Sequence, residues 1–229
     1  MQSISSQMPV KYFSIYKYFN SNIRILDACS APWWKTSQLS ELYPSAYIYA
    51  FEPKKTRYEK MCYNFKKLWV HNIQTIHDSI ENIGKYITQK EYFDIILVDA
   101  PCSWEGKISY HNTKFLKNWS LTYIKKNYFR QKMICDHVVP YLKKWWEMIY
   151  STCTLAPEEN EAIIHYLLCK YHTLSLESIN LKDNKYITCK KALKSFEKYI
   201  FRKEISEHTL RIMPSKYSEG FYIAKMKKI

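Results

Sequence analysis

The stretch FDIILVDAPCS, Phe93 to Ser103, decides the fold. Phe93 and Ile95 to Val98 make a short apolar run, which reads as a strand buried on both faces rather than as a helix. A proline follows at once, so the chain turns at the strand's carboxyl end and leaves Asp99 and Cys102 there. A second peptide, EMIYSTCT from Glu147 to Thr154, repeats the pattern with Cys153 just beyond its strand. Paired strands lie about 5 Å apart, and open α/β sheets bind ligands at their carboxyl edge. If these two strands are neighbours, their thiols converge where chemistry is expected.

Strands and helical stretches alternate on both sides of this core. IRILD (Ile23 to Asp27), a helix from about Thr36, AYIYAFE (Ala46 to Glu52), a helix from Thr56 to Leu68 and IQTIH (Ile73 to His77) precede it. A long helix around Ile124 to Leu142, the strand EMIYS and a helix from Glu158 to Lys170 follow. This order predicts a doubly wound, mostly parallel sheet. LSLES (Leu174 to Ser178) and GFYIAKM (Gly220 to Met226) predict a terminal antiparallel hairpin, because no helical pattern immediately precedes the last strand. Asn180 to Ser218, between them, is polar and shows no usable period.

Composition narrows the function. The 229 residues suit one catalytic domain. Thirty-five Lys and Arg against 21 Asp and Glu give a net charge of +14, which favours a polyanionic partner such as RNA or DNA. Seven cysteines, an odd number with no CxxC pair or metal-ligand spacing, predict reduced thiols in a cytoplasmic protein without a metal. The N-terminus has no signal-peptide pattern and no apolar run approaches a membrane span, so no membrane association is expected.

The chain holds only three glycines and seven tryptophans. Trp33 and Trp34 occupy the loop after the first strand, DACSAPWWKT, where a backbone that approaches a ligand closely normally uses glycine. Trp69 follows a helix, where a left-handed glycine cap is favoured. Trp104 follows the DAPCS turn, and Trp145 and Trp146 stand in a turn before EMIY. Only Trp119 is at an ordinary aromatic position. The pattern predicts a gene in which UGA encodes glycine, with these six residues the result of reading UGA as tryptophan.

With glycine at those positions, four ordered blocks between about Gln2 and Lys225 resemble the Sun/Nop-type RNA cytosine-5 methyltransferases, which include the bacterial RsmB/RsmF ribosomal-RNA enzymes. DACSAPWWKT resembles their DxCAAPGGKT loop, DAPCSWEG their DAPCSGEG, and LKKWWEMIYSTCTLAPEENE their LKPGGxLVYSTCTxxPEENE. LRIMPSKYSEGFYIAKM resembles their closing segment. The resemblance implies a Rossmann-like class I methyltransferase with a seven-stranded sheet, and S-adenosyl-L-methionine as methyl donor. By motif position, Cys29, Ser30, Ala31, Pro32, Trp33, Trp34 and Lys35 line its methionine end, Glu52 takes the ribose hydroxyls and Asp78 sits beside adenine.

The resemblance further implies that Cys153 is the nucleophile and that Cys102 assists breakdown of the covalent adduct. Carbon 5 of cytosine needs such activation, because a thiolate added at carbon 6 pushes electron density onto it. Asp99 is expected to bond the ring edge as well as line the cofactor site, and Lys35 to lend positive charge to the thiol. The target is expected to be a single-stranded or flipped-out cytosine in ribosomal RNA or tRNA. Lys54, Lys55, Arg57, Lys66 and Lys67 are candidate contacts to its backbone. Among the acids of PEENE (Pro157 to Glu161), a helix-dipole role is expected, with Asn160 a candidate for supporting the site.

The family's upstream RNA-binding region is expected to be absent or truncated, leaving residues 1 to 229 as one catalytic domain, a monomer. The alternative is a catalytically inactive RNA-binding module in which genuine indoles at Trp33 and Trp34 crowd the cofactor out. DNA cytosine methylation is disfavoured, because those enzymes carry their nucleophile in a PCQ-type motif on the fourth strand.

Overall fold

A computed structural model describes residues 3–14, 22–108, 116, 119–180 and 185–229. Gln2, the first residue of the family-like blocks, lies outside them. The elements in chain order are helix α1 (Ile4–Lys11), β1 (Arg24–Asp27), α2 (Trp34–Leu42), β2 (Tyr47–Phe51), α3 (Lys55–Lys67), β3 (Ile73–Ile76) and β4 (Phe93–Asp99). There follow α4 (Leu121–Val138), β5 (Leu142–Thr152), α5 (Glu161–Lys170), β6 (Leu174–Glu177), β7 (Thr188–Lys191), the small pair β8 (Ser195–Phe196) and β9 (Tyr199–Ile200), α6 (Lys203–His208), β10 (Leu210–Met213) and β11 (Phe221–Lys228).

The main sheet has the order β3-β2-β1-β4-β5-β11-β10-β7, with β6 also paired to β11. The five strands from β3 to β5 are parallel and β11 enters antiparallel to β5. The expected doubly wound sheet with an antiparallel end is present, and the described sheet has nine strands where seven were expected. The difference lies beyond β11. Its amino end pairs with β10 and its carboxyl end with β6, so two short strands share one position, and β7 adds an edge. Both β7 and β10 come from the polar segment without a readable period.

The burial of β4 explains why it reads as a continuous apolar run. Ile95 and Leu97 pack with Val10, Leu39 and Tyr43 of the α1 and α2 side. Ile96 and Val98 pack on the other face with Ile134, Val138 and Ile163 of α4 and α5. Alternate side chains thus serve opposite layers, each fully buried aliphatic contributing about 1.5–3 kcal/mol. Winding reverses between β1 and β4, which opens a cleft at their carboxyl ends.

The backbone departs from ordinary geometry at the tryptophans. Positive φ occurs at Trp33 (112°), Trp69 (54°), Trp104 (62°) and Trp145 (70°), and otherwise at Glu91 and Glu197. None of the three glycines has a positive φ. Trp69 closes α3 in a Schellman motif: its N–H donates to the Lys66 carbonyl and the Val70 N–H to the Phe65 carbonyl, which is the setting for a left-handed glycine. Trp145 lies where β5 shifts register, between the pairs Phe93–Leu142 and Ile95–Glu147. A left-handed residue other than glycine costs about 1–2 kcal/mol. Trp34 and Trp146 adopt negative-φ backbone beside these residues.

Candidate active site

The chain leaves β1 at Asp27, whose carboxylate is buried at 1% exposure and organises the next loop. Its Oδ2 accepts from Thr36 Oγ1 at 2.7 Å and its Oδ1 from the Cys29 N–H at 3.3 Å, while Ser30 Oγ donates to the Asp27 carbonyl at 2.8 Å. Burial pushes the Asp27 carboxyl up to about 6, against the hydrogen bond from Thr36. This closes residues 28–36 into a tight turn over the sheet. The turn forms one wall of a cleft of about 560 Å³.

Cys29, Ser30, Ala31, Pro32, Trp34 and Lys35 all line that cleft, as do Glu52 and Asp99. Trp33 does not. Its ring lies tilted against that of Trp34 with centroids 4.7 Å apart, sits under Lys60 Nζ at 5.6 Å and packs against the Ala50, Met61 and Phe65 cluster. Of the two tryptophans expected to line the methionine end of the cofactor site, Trp33 turns away from the cleft and Trp34 forms part of its wall.

Glu52 follows β2 and is 2% exposed. The Lys54 N–H donates to its Oε1 at 2.8 Å and Arg57 Nη1 lies 3.4 Å from its Oε2. Arg57 also donates to the Ala31 carbonyl, so this candidate RNA contact instead ties α3 to the cofactor loop. Lys54, Lys55, Lys66 and Lys67 are exposed on or beside the same helix. Asp78 is not brought into the cleft. The Ser79 N–H, Asn82 Nδ2 and Tyr86 hydroxyl donate to its carboxylate at 2.7, 2.8 and 3.0 Å, and these bonds hold it below the usual carboxylate range, Asn82 most of all. A local turn has captured the charge, and Ser79, Ile80 and Glu81 line the cleft in its place.

At the catalytic end, Lys35 Nζ donates to Asp99 Oδ2 at 2.6 Å and to Ser6 Oγ at 2.9 Å, and Ser151 Oγ donates to Asp99 Oδ1 at 2.8 Å. Asp99 and Ser151 are register partners in β4 and β5, so the paired strands align the two cysteine loops. Cys102 Sγ and Cys153 Sγ lie 3.4 Å apart. Cys102 is 1% exposed, and burial, then its contact with Cys153, then Glu159 push its thiol well above the usual range. Cys153 is half-buried and opens onto the cleft.

Several residues not selected from the sequence complete the site. Lys107 lines the cleft, and its pKa is raised: burial opposes its charge, but Cys153, Glu219, Cys102 and Asp99 outweigh that effect. Lys35 is paired with Asp99 and Lys107 with Glu219 at 3.8 Å, and the Lys107 charge interacts with both thiols. Gly106 and Gly220 touch so closely that a Cβ on Gly106 would lie 2.0 Å from the Gly220 carbonyl oxygen. That approach lets the Gly106 N–H donate to the Cys153 carbonyl at 3.1 Å, and only a residue without a side chain permits it. Asn127 on α4 lines the cleft, and its buried Nδ2 has no partner. Among the described residues there is no cluster of metal-ligating side chains, and no helix is long and apolar enough to cross a membrane.

Comparisons with known proteins place this architecture. Residues 17–227 match the family described as 16S rRNA methyltransferase RsmB/F. Ribosomal RNA small subunit methyltransferase F of Shewanella piezotolerans is 32% identical over the whole chain, and that of Aeromonas salmonicida 30%. The chain spans 45% of the length of each, about half of these curated relatives. A methyltransferase homologue from Pyrococcus horikoshii superposes with a TM-score of 0.82 at 28% identity, covering all of this chain and 67% of that one. NSun6 from Pyrococcus horikoshii, solved with SFG, gives 0.76 at 25% identity, covering 99% and 52%. The ordered motifs, the thiol pair and a match from residue 17 to residue 227 together establish that this chain belongs to the 16S rRNA methyltransferase RsmB/F family.

Proposed function

We propose that the chain is the catalytic domain, residues 1–229, of an S-adenosyl-L-methionine-dependent enzyme that methylates carbon 5 of a cytosine in ribosomal RNA. The observation that carries this reading is the pair of thiols 3.4 Å apart at the end of a cleft floored by Asp99. The small-subunit names of the relatives favour rRNA over tRNA. The protein acts in the cytoplasm, as a monomer, on an unpaired or flipped-out base.

The cleft suits the cofactor. A buried carboxylate at the end of β2, Glu52, is placed to accept from ribose hydroxyls, and the unpartnered Asn127 Nδ2 offers a donor to a ligand acceptor. The SFG in the NSun6 relative is an analogue of the same cofactor. When bound, S-adenosylmethionine supplies a sulfonium-activated methyl group. Cys153, Cys102, Asp99 and Lys35 supply the rest, with Cys29, Ser30, Ala31, Pro32, Lys35, Glu52 and Asp99 holding the cofactor. Position 34 forms the wall of its site.

Cys153 attacks carbon 6 as the thiolate, with Lys107 lining the same cleft, and carbon 5 becomes nucleophilic. Asp99, fixed by Lys35 and Ser151, presents its carboxylate to the ring edge and steadies the electron-rich adduct. After carbon 5 has been methylated, its proton must leave and the sulfur–carbon 6 bond must break. Cys102 gives its proton to the departing Cys153 sulfur and takes the carbon 5 proton in exchange, which restores both thiols.

Transfer of tritium from methyl-labelled cofactor to small-subunit rRNA and to DNA tests the reading. Label in RNA, at cytosine carbon 5, is expected. A protein that binds cofactor but labels only DNA, or one that neither binds cofactor nor labels RNA, refutes it.

A further inference from the structure

The peptide after the second cysteine loop grips both loops. Glu159 is completely buried beneath the Cys102 loop. The Ser103 N–H donates to both of its carboxylate oxygens at 3.2 Å, and Gln131 Nε2 of α4 donates to Oε2 at 2.7 Å and to the Pro101 carbonyl at 2.9 Å. Next in sequence, Asn160 takes hold of the other loop: Thr152 Oγ1 donates to its Oδ1 at 2.6 Å and its Nδ2 donates to the Thr154 carbonyl at 3.0 Å. Ser103 Oγ and Thr154 Oγ1, 2.8 Å apart, join the loops directly. Two adjacent side chains therefore brace the residues flanking both cysteines.

We propose that Glu159 is a positioning residue of the thiol pair, holding the Cys102 loop where its sulfur meets that of Cys153 and facing Cys102 with a buried carboxylate. A dipole role for this residue does not account for the geometry, because both oxygens point at the Cys102 loop and Gln131. The groups packed around it are Cys102 and Glu105 from the loop after β4, Gln131 from α4, and Tyr150 of β5, whose hydroxyl donates to the Glu159 carbonyl at 2.6 Å. Among the described residues no cation is one of them. Where it is ionised, above about pH 7, the carboxylate works with burial to keep Cys102 in its protonated form, the form that hands a proton to the departing sulfur. The inference rests on the thiol roles proposed above, but its test reads the thiols directly.

Iodoacetamide labelling followed by peptide mass spectrometry gives the rate at each cysteine. In Glu159→Gln at pH 8, Cys102 labelling is expected to rise at least ~10-fold, because the repelling charge is gone and the loop is held by fewer bonds, while buried Cys135 stays unlabelled. An unchanged Cys102 rate overturns the proposal. If Cys135 reacts as well, the fold has opened, and Gln131→Met decides: it removes the 2.7 Å bond to Glu159, and an unchanged Cys102 rate there is equally fatal. With RNA, Glu159→Gln should keep the first methyl transfer and slow adduct release. Equal loss of both steps would mark a merely structural role. A labelling shift in a protein that forms no RNA adduct would refute the enzymatic reading and leave the positioning intact.

The backbone carries a second, independent inference. We infer that positions 33, 34, 69, 104, 145 and 146 are glycine in the working protein and that its gene reads UGA as glycine. Four of these residues hold four of the six positive-φ positions among the described residues, and no glycine holds any. Trp69 occupies the left-handed place in a fully formed Schellman motif, and its indole is 80% exposed. Peptide masses of the protein from its own cells, with the six codons, test the inference. UGA at all six and UGG at Trp119 are expected; a UGG codon or an indole-bearing peptide at any of the four positive-φ positions overturns it.

Discussion

The two cysteine loops leave adjacent strands in register, with their sulfurs 3.4 Å apart, yet their surroundings differ. Cys102 is buried, braced by Glu159 and Gln131, and its thiol is pushed well above the usual range. Cys153 is half-buried and opens onto the cleft within the field of Lys107. The same side chain at equivalent strand ends thus meets two environments, which suit the roles proposed above, proton carrier in one loop and nucleophile in the other. Burial and local charge make the difference, not sequence motif alone.

The most severe way to break the comparison is to ask the loops to exchange roles. Cys153→Ala is expected to lower methyl transfer on the order of 10³-fold or more, with no covalent RNA adduct on denaturing gels. A residual adduct attached at Cys102 would show the loops to be interchangeable. Cys102→Ala is expected to have a smaller effect, slowing turnover by about 10²-fold while the first methyl transfer proceeds, because only proton movement during release is lost. Its adduct should accumulate on Cys153, and a rapidly released adduct would remove the asymmetry.

How legible this was in the sequence depended on how local the cause was. The strands β4 and β5 are continuous apolar runs ending in distinctive peptides, so Asp99, Cys102 and Cys153 were found with their positions. The strands β7 and β10 are short, and their pairing joins segments separated by an unpatterned stretch, so they were not. Lys107 and Glu159 escaped for a related reason. Their placement depends on a glycine-to-glycine contact between distant loops and on a helix that lends Gln131. Asp78 shows the opposite error: its place after β3 was right, but Asn82 and Tyr86 engage its carboxylate before a ligand would.

The asymmetry can be sharpened through pH. Burial pushes the Glu159 carboxyl from 4.5 up to about 7, against the hydrogen bonds from Ser103 and Gln131. The folded protein therefore binds this proton more tightly than the unfolded chain. The corresponding stability is full below about pH 4.5 and is lost as pH rises through 7, on the order of 2–3 kcal/mol. Asp27, pushed up to about 6, adds a slope of the same sign over a lower range. Urea unfolding of the wild type and Glu159→Gln at pH 5 and pH 8 isolates the first group. The variant should gain on the wild type by about 2 kcal/mol between those pH values, and a difference independent of pH would show that Glu159 carries no buried charge.

The smallest effect concerns the backbone that frames both loops. Trp104 follows the Cys102 turn and Trp145 lies in the register shift that feeds β5 toward Cys153, each with positive φ. Trp69 has the same backbone but lies outside the cleft, which makes it the control. Trp69→Gly should stabilise the fold by about 1–2 kcal/mol, the cost of holding a side chain in the left-handed region, with activity unchanged. Trp104→Gly should give a similar gain, less any contact its half-exposed indole makes, and should also alter adduct release because the relieved turn carries Cys102. Thermal unfolding read beside single-turnover release separates the two contributions. If Trp69→Gly destabilises the protein, the indole is contributing at that helix end, and the case for glycine there fails on energy despite the left-handed backbone.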